Sequence, residues 1–304
     1  MKSVLVKIDE VLNSVSNILN EEEFIKKLEK KNISLKSLRL LRIIFNVYDF
    51  RQEKIHYFRG RNYVAESHSL FNSFLLFINK YYKSVRTKNG IINVNLLHSE
   101  LRRKNFIVSS TIVKNLIKNR NGYYITEEYF IPNTKGKNNR LTGVIKFTMS
   151  VSDKIEVDEL IDCIKRSRNS EIFSPPAEIL KILCEKLGYQ VEDNYILNKN
   201  YSENNQHLTG NNKALFKMFI ENNRLMTYEE VLEANKKHKI NINSLNVLLY
   251  QNLFVQPRRM IFALAGTKLN DEYLDEIDQK RQNYIKETID KVKYSQGAIN
   301  GSII

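Results

Sequence analysis

The sequence predicts an α+β protein, mainly helical with small β-hairpins, in which three tandem modules of roughly 65 residues lie between a helical N-terminal region and a C-terminal helix. Two observations predict this. The stretch Ser109–Arg140 reads as a serine-capped helix, a short hairpin and a basic loop. The same order recurs further on. Third-helix starts at Ser109, Ser174 and Asn241 are each followed, about 13 to 15 residues later, by a strand aromatic: Tyr123, Tyr189 and Phe254. The boundaries that follow are 1–62 for the helical region, 63–140, 141–200 and 205–268 for the modules, and 269–304 for the last helix and tail.

Taken in order, Val4, Leu5, Ile8, Val11, Leu12, Val15, Ile18 and Leu19 make one helical apolar stripe. Asn20 before Glu21–Glu23 caps a second helix, with acids in its first turn where the helix dipole favours them. A third helix is expected from Ser34. Tyr48–Tyr63 mixes Arg51, Lys54, Arg59 and Arg61 with Tyr57, Phe58 and Tyr63. That mixture suits phosphate contact with base stacking, and equally suits a solvated connector.

In the first module Leu70–Tyr82 is an apolar helix and Ile91–Ile92 an extended segment. Helices over Val94–Lys104 and Ser109–Asn119 follow, the last ended by Gly122, before strands at Tyr123–Thr126 and Tyr129–Ile131. In the second, Leu141–Met149 is a weaker element, strand or helix. Val157–Arg166 is a helix. Ser174-Pro175-Pro176 places a serine cap before a proline at the first helical position, and Asp193-Asn194 turns a hairpin. In the third, Asn211–Asn222 is a helix, and Thr227 with Glu230 forms a capping box. Asn241 or Asn243 caps the next helix, and Pro257-Arg258-Arg259 separates two strands. Asp271 to about Tyr294 is a long polar helix with one apolar face.

Residues 70–266 resemble tandem winged helix-turn-helix DNA-binding proteins. The third module carries most of the likeness. Thr227-Tyr228-Glu229-Glu230-Val231 resembles the usual second-helix opening. Arg258 to Gly266 is similar to the wing ending of winged helices in bacterial transcription proteins, sigma-factor-like ones among them. The resemblance implies three winged-helix units that meet duplex DNA through the third helix and the wing. Winged helices also bind proteins.

Charge points the same way. The formal net charge is +14, and residues 51–140 hold 17 Lys/Arg against 5 Asp/Glu. A localised cationic region is the footprint of a phosphate-binding surface. The candidate contacts in the first module are Ser110, Thr111, Lys114, Asn115 and Lys118, on the face opposite Ile112, Val113 and Leu116, with Arg120 just beyond. Arg102, Arg103 and Lys104 end the preceding helix, where they also complement its dipole. Lys135, Lys137 and Arg140 would hold a backbone, with Arg59 and Arg61 upstream. In the third module the candidates are Asn243, Asn246, Tyr250, Arg258 and Arg259. The second module offers Glu178 and Glu185 beside Lys181, a poor phosphate surface, so it reads as a spacer or protein-contact module.

Nothing asks for catalysis. The five histidines lack the spacing of a helical metal pair, Cys163 and Cys184 read as core residues, and there is no phosphate-binding glycine loop or nucleophile elbow. No metal or cofactor is expected. No run of 18 apolar residues predicts a membrane span, the N-terminus does not read as a signal peptide, and two cysteines suit a reducing cytoplasm. The expectation is a cytoplasmic, non-catalytic protein that binds double-stranded DNA as a transcription regulator or DNA-binding subunit. Two matters stay open: a scaffold role gripping a protein partner through the second module or terminal helices, and homo-oligomerisation.

Overall fold

The computed structural model describes residues 2–33, 54–133, 139–166, 174–202 and 208–300. The chain forms two compact bodies, Met1–Arg140 and Leu141–Ile304.

The N-terminal body opens with α1 (Lys2–Asn13), β1 (Leu19–Asn20) and α2 (Glu21–Glu29), and continues at β2 (Ile55–Phe58) and β3 (Arg61–Val64). These strands form an antiparallel sheet in the order β1-β3-β2. The expectation of a helical region over 1–62 is therefore corrected. The apolar stripe leaves the helix at Asn13, where Ser14 Oγ bonds back to the Val11 carbonyl at 2.8 Å and competes with continuation. Val15, Ile18 and Leu19 are still buried, but from a turn and a strand. The expected connector is a tight hairpin: Arg59 and Gly60 have φ of 48° and 80°, the paired left-handed turn that matches strand twist. Asn20 and Glu23 form the capping box of α2. The helix expected from Ser34, and Arg51, lie outside the described residues.

The same body continues with α3 (His68–Lys88), β4 (Ile92–Asn93), α4 (Val94–Arg103), α5 (Ser110–Lys118), β5 (Gly122–Tyr124) and β6 (Tyr129–Pro132). Again the sheet runs first–third–second, β4-β6-β5. Each helix has a side-chain cap: Ser67, Asn93 and Ser109 accept from the Leu70, Leu96 and Ile112 amides. Gly122 does not end α5; Asn119 does. Gly122 begins β5, where a Cβ would lie 2.3 Å from the Ile131 carbonyl oxygen and 2.4 Å from the Phe130 ring. Close approach, not a helix stop, selects glycine there. Ile18, Tyr63 and Ala65 of the first repeat belong to the same core as Phe74, Leu97, Ile112 and Leu116 of the second. The two repeats are therefore packed as one.

The C-terminal body repeats the plan twice. The third repeat is α6 (Arg140–Met149), β7 (Lys154–Glu156), α7 (Val157–Lys165), α8 (Ala177–Lys186), β8 (Gln190–Glu192) and β9 (Tyr195–Leu197). The fourth is α9 (Gly210–Glu221), β10 (Leu225–Thr227), α10 (Tyr228–His238), α11 (Ile242–Leu249), β11 (Phe254–Arg258) and β12 (Ile261–Leu264), followed by α12 (Asp271–Asn300). The sheets run β7-β9-β8 and β10-β12-β11, all antiparallel. The element at 141–149 is a helix. Thr227 and Glu230 form their capping box, and Asn241 caps α11. Ser174 is not the cap of α8: the helix starts at Ala177, with Pro176 extended before it at ψ 151°. A proline pushes the residue before it out of the helical region, so consecutive prolines delay the start.

The third and fourth repeats are stitched by polar groups. Arg224, at φ 67°, donates to the carbonyls of Val151 (2.7 Å) and Ala265 (3.1 Å) and to Tyr201 Oη (3.1 Å). Asn252 donates to the Cys163 carbonyl, and Thr148 Oγ1 donates to the Asn252 carbonyl at 3.1 Å. Gly266, at φ 75°, sits where a Cβ would meet Ser152 Oγ at 1.8 Å, and its amide donates to Glu159 at 2.8 Å. Among the described residues no helix is long and apolar enough to cross a membrane.

Candidate nucleic-acid interface

The divided fold sharpens the charge argument. The N-terminal body holds 26 Lys/Arg against 12 Asp/Glu, a net +14. The C-terminal body holds 22 against 22. All of the protein's surplus charge therefore belongs to one body.

Within that body, α5 presents its outer face. Ile112, Val113, Leu116 and Ile117 are buried, which turns Ser110, Thr111 and Lys118 outward and leaves Lys114 and Asn115 half-buried. No acidic residue lies on this helix. Lys114 pairs with Glu127 in the hairpin turn at 3.1 Å. Tyr124 donates to the Lys114 carbonyl at 3.0 Å, and burial pushes its hydroxyl up to about 12. The hairpin is thus fastened to the helix it flanks. Arg102, Arg103 and Lys104 are exposed where α4 ends, and Arg103 pairs with Glu100 at 3.0 Å. His98 Nε2 meets the Val108 carbonyl at 2.8 Å, which pins the turn between α4 and α5.

Arg59 and Arg120 meet at the other end of α5. Arg59, on the β2–β3 turn, donates to the Asn119 carbonyl and lies 5.4 Å over the Phe58 ring. Arg120 does not point outward. It donates to Asn79 Oδ1 at 2.7 Å and stacks 4.9 Å over Tyr82. Burial first, and then Arg59, hold it below the usual arginine range. Its role is therefore corrected from contact to joint. Arg61 is exposed at the start of β3 and Arg140 is half-buried at the start of α6. Lys135 and Lys137 lie outside the described residues.

In the C-terminal body the candidates are mostly engaged. Arg258 reaches Asp271 (3.2 Å) and Asp275 (3.1 Å) on α12, and the Asp275 hydrogen bond holds its pKa above the ordinary value. Asn246 accepts from Tyr228 at 2.7 Å. Tyr250 lies edge-on to Phe262 at 5.5 Å. Asn243 and Arg259 are exposed. In α8, Lys181 is paired with Glu178 at 3.1 Å. The three described third helices therefore differ in character. α5 is basic, α8 is mixed, and α11 is uncharged with Ile242 57% and Tyr250 49% exposed.

One pairing had no sequence signal. His56 in β2 and His68 at the start of α3 bring their Nδ1 atoms to 3.4 Å, and His56 stacks on Phe71 at 4.6 Å. Twelve residues and a strand-to-helix break separate them, so no helical spacing could reveal it. They line an open cleft of 970 Å³. Among the described residues no three His, Cys, Asp or Glu side chains cluster as a metal centre would need. Compared with protein-family models and with curated proteins, the chain gives no match.

Proposed function

We propose that this protein binds nucleic acid without catalysis, and that its N-terminal body holds double-stranded DNA. The repeats act as winged helix-turn-helix modules. α5 enters the major groove, the β5–β6 hairpin serves as the wing, and the hairpin tip of the first repeat lies beside the same helix. The observation that carries this reading is the placement of the whole +14 surplus on residues 1–140, with residues 141–304 electrically balanced. Phosphate neutralisation supplies most of such affinity. Ser110, Thr111 and Asn115, at the front of α5, supply whatever base preference exists. The setting is the cytoplasm, in transcription regulation or as the DNA-binding subunit of an assembly.

A second observation favours a protein contact for the C-terminal body. The third helix of its last repeat is uncharged and shows Ile242 and Tyr250 to solvent. Exposed apolar surface of this kind marks protein contact rather than phosphate contact. On this reading one body grips DNA and the other carries a partner.

The experiment is hydrogen exchange of the full chain with and without a duplex of about two helical turns. Protection over 102–124 and at the 57–61 turn is expected. Absence of protection there, with binding by anisotropy elsewhere or not at all, overturns the assignment.

A further inference from the structure

α12 begins as a docked helix and ends as an undocked one. Leu274 is 2% exposed and Arg281 12%, the latter held to Glu229 at 3.3 Å. From Gln282 to Val292 every residue but Ile285 is fully exposed. At about 100° per residue, Ile285, Ile289 and Val292 fall within about 40° of the line through Leu274 and Arg281. The face that docks on the fourth repeat therefore continues past it as an uncovered aliphatic stripe, with Ile289 48% and Val292 51% exposed. Lys286 and Lys291 flank this stripe at about 100° and 120°, while Glu287 and Asp290 lie behind it.

Beside the docked half lies a cleft of 550 Å³ between α12 and the fourth repeat. One wall carries Glu221, Met226 and Glu230. The other carries Tyr273, Ile277 and Tyr284, on a helical row of their own. The cleft has an apolar floor and a carboxylate rim. The free half of α12 has an aliphatic stripe and a lysine on each side. The two are complementary in shape class and charge, and both are on the same chain.

We propose that the occupant of this cleft is a second copy of the protein. Two α12 helices lie antiparallel about a two-fold axis near Tyr284, and each seats its Ile285–Val292 stripe against the other copy's fourth repeat. The contact is isologous, so it closes at two chains. It is a helix-in-groove contact with anchors at successive turns. A helix cannot fold back to fill its own cleft without breaking, which leaves the second chain as donor.

Sedimentation equilibrium of the full chain, without nucleic acid, tests this across roughly 1–100 μM, which spans moderate affinities. A dimer is expected. The triple change Ile285→Ser, Ile289→Ser, Val292→Ser should raise its dissociation constant at least tenfold and leave the circular dichroism melt unmoved. The cleft variant Tyr273→Lys should do the same. Mixing the two variants restores one of the two contacts, so heterodimers should form where neither variant pairs alone. A wild-type monomer throughout, an unaffected stripe variant, or a mixture that stays monomeric would each overturn the proposal.

Discussion

The steepest prediction concerns salt. On the face of the second repeat, Arg103 and Lys114 already hold Glu100 and Glu127. Arg102, Lys104 and Lys118 are exposed and carry the contact with phosphate. Each phosphate neutralised on duplex DNA contributes a slope of about −0.9 to log K against log salt. Changing Arg102, Lys104 and Lys118 together to Gln should therefore flatten the slope by about 2.7. With both lines converging near 1 M salt, affinity falls about 500-fold at 0.1 M and about 80-fold at 0.2 M. The assay is fluorescence anisotropy of a labelled duplex titrated at four or more salt concentrations. The control removes the same number of charges from the balanced body: Lys213, Lys217 and Lys237, all exposed, changed to Gln. It should leave slope and affinity unchanged. Equal losses in the two variants would mean that net charge alone attracts DNA and that α5 has no privileged role. An unmoved slope in the first variant would sink the surface altogether.

Gly266→Ala places a methyl 1.8 Å from Ser152 Oγ and 2.3 Å from the Lys154 carbonyl at φ 75°. Left-handed strain of about 1–2 kcal/mol and crowding of about 1–3 kcal/mol together predict a loss of about 2–5 kcal/mol in urea titration; under 1 kcal/mol would contradict the packing. Glu159 has its pKa raised above 4.5, chiefly by burial, so the folded state binds the proton more tightly than the unfolded state. Stability should therefore fall as pH rises from about 4.5 through the raised value and then level off. Glu159→Gln keeps an acceptor for Gly266 and should remove that fall; a variant less stable than wild type at pH 7 would show that the charge is wanted. Cys163 and Cys184 are buried, and burial pushes the Cys184 thiol up to about 12. Neither should react with a disulfide reagent in the native protein, and both should react in urea; rapid labelling of the native chain contradicts this.

Caps and turns were the legible part of the fold. Asn20, Ser109, Thr227 and Asn241 begin helices where a short polar side chain stands before an apolar period, because capping is a local interaction. The first repeat was hidden for the opposite reason. Its sheet pairs Leu19 with Val64 across 45 residues, and a two-residue strand leaves no period to read. Gly122 and Gly266 look like stops in a string of letters; only the neighbours on another strand or another repeat show that they are close approaches. The candidate contacts split in the same way. Exposure of Ser110, Thr111 and Lys118 followed from helix phase. The partners of Lys114, Arg120, Asn246 and Arg258 come from the hairpin turn, α3, α10 and α12, and no spacing along the chain encodes them.

The stitching between neighbouring repeats changes what counts as the smallest independent piece. Because Arg224 feeds the carbonyls of Val151 and Ala265, cutting between the third and fourth repeats would strip buried acceptors of their donor. Because Ile18 and Tyr63 lie in the core of the second repeat, the first cannot be cut away without exposing it. A duplication of some 65 residues wrote the pattern, yet the indivisible module is the pair. Insertion, shuffling or excision by recombination would be tolerated near residue 140, and would ruin the protein at the finer joints.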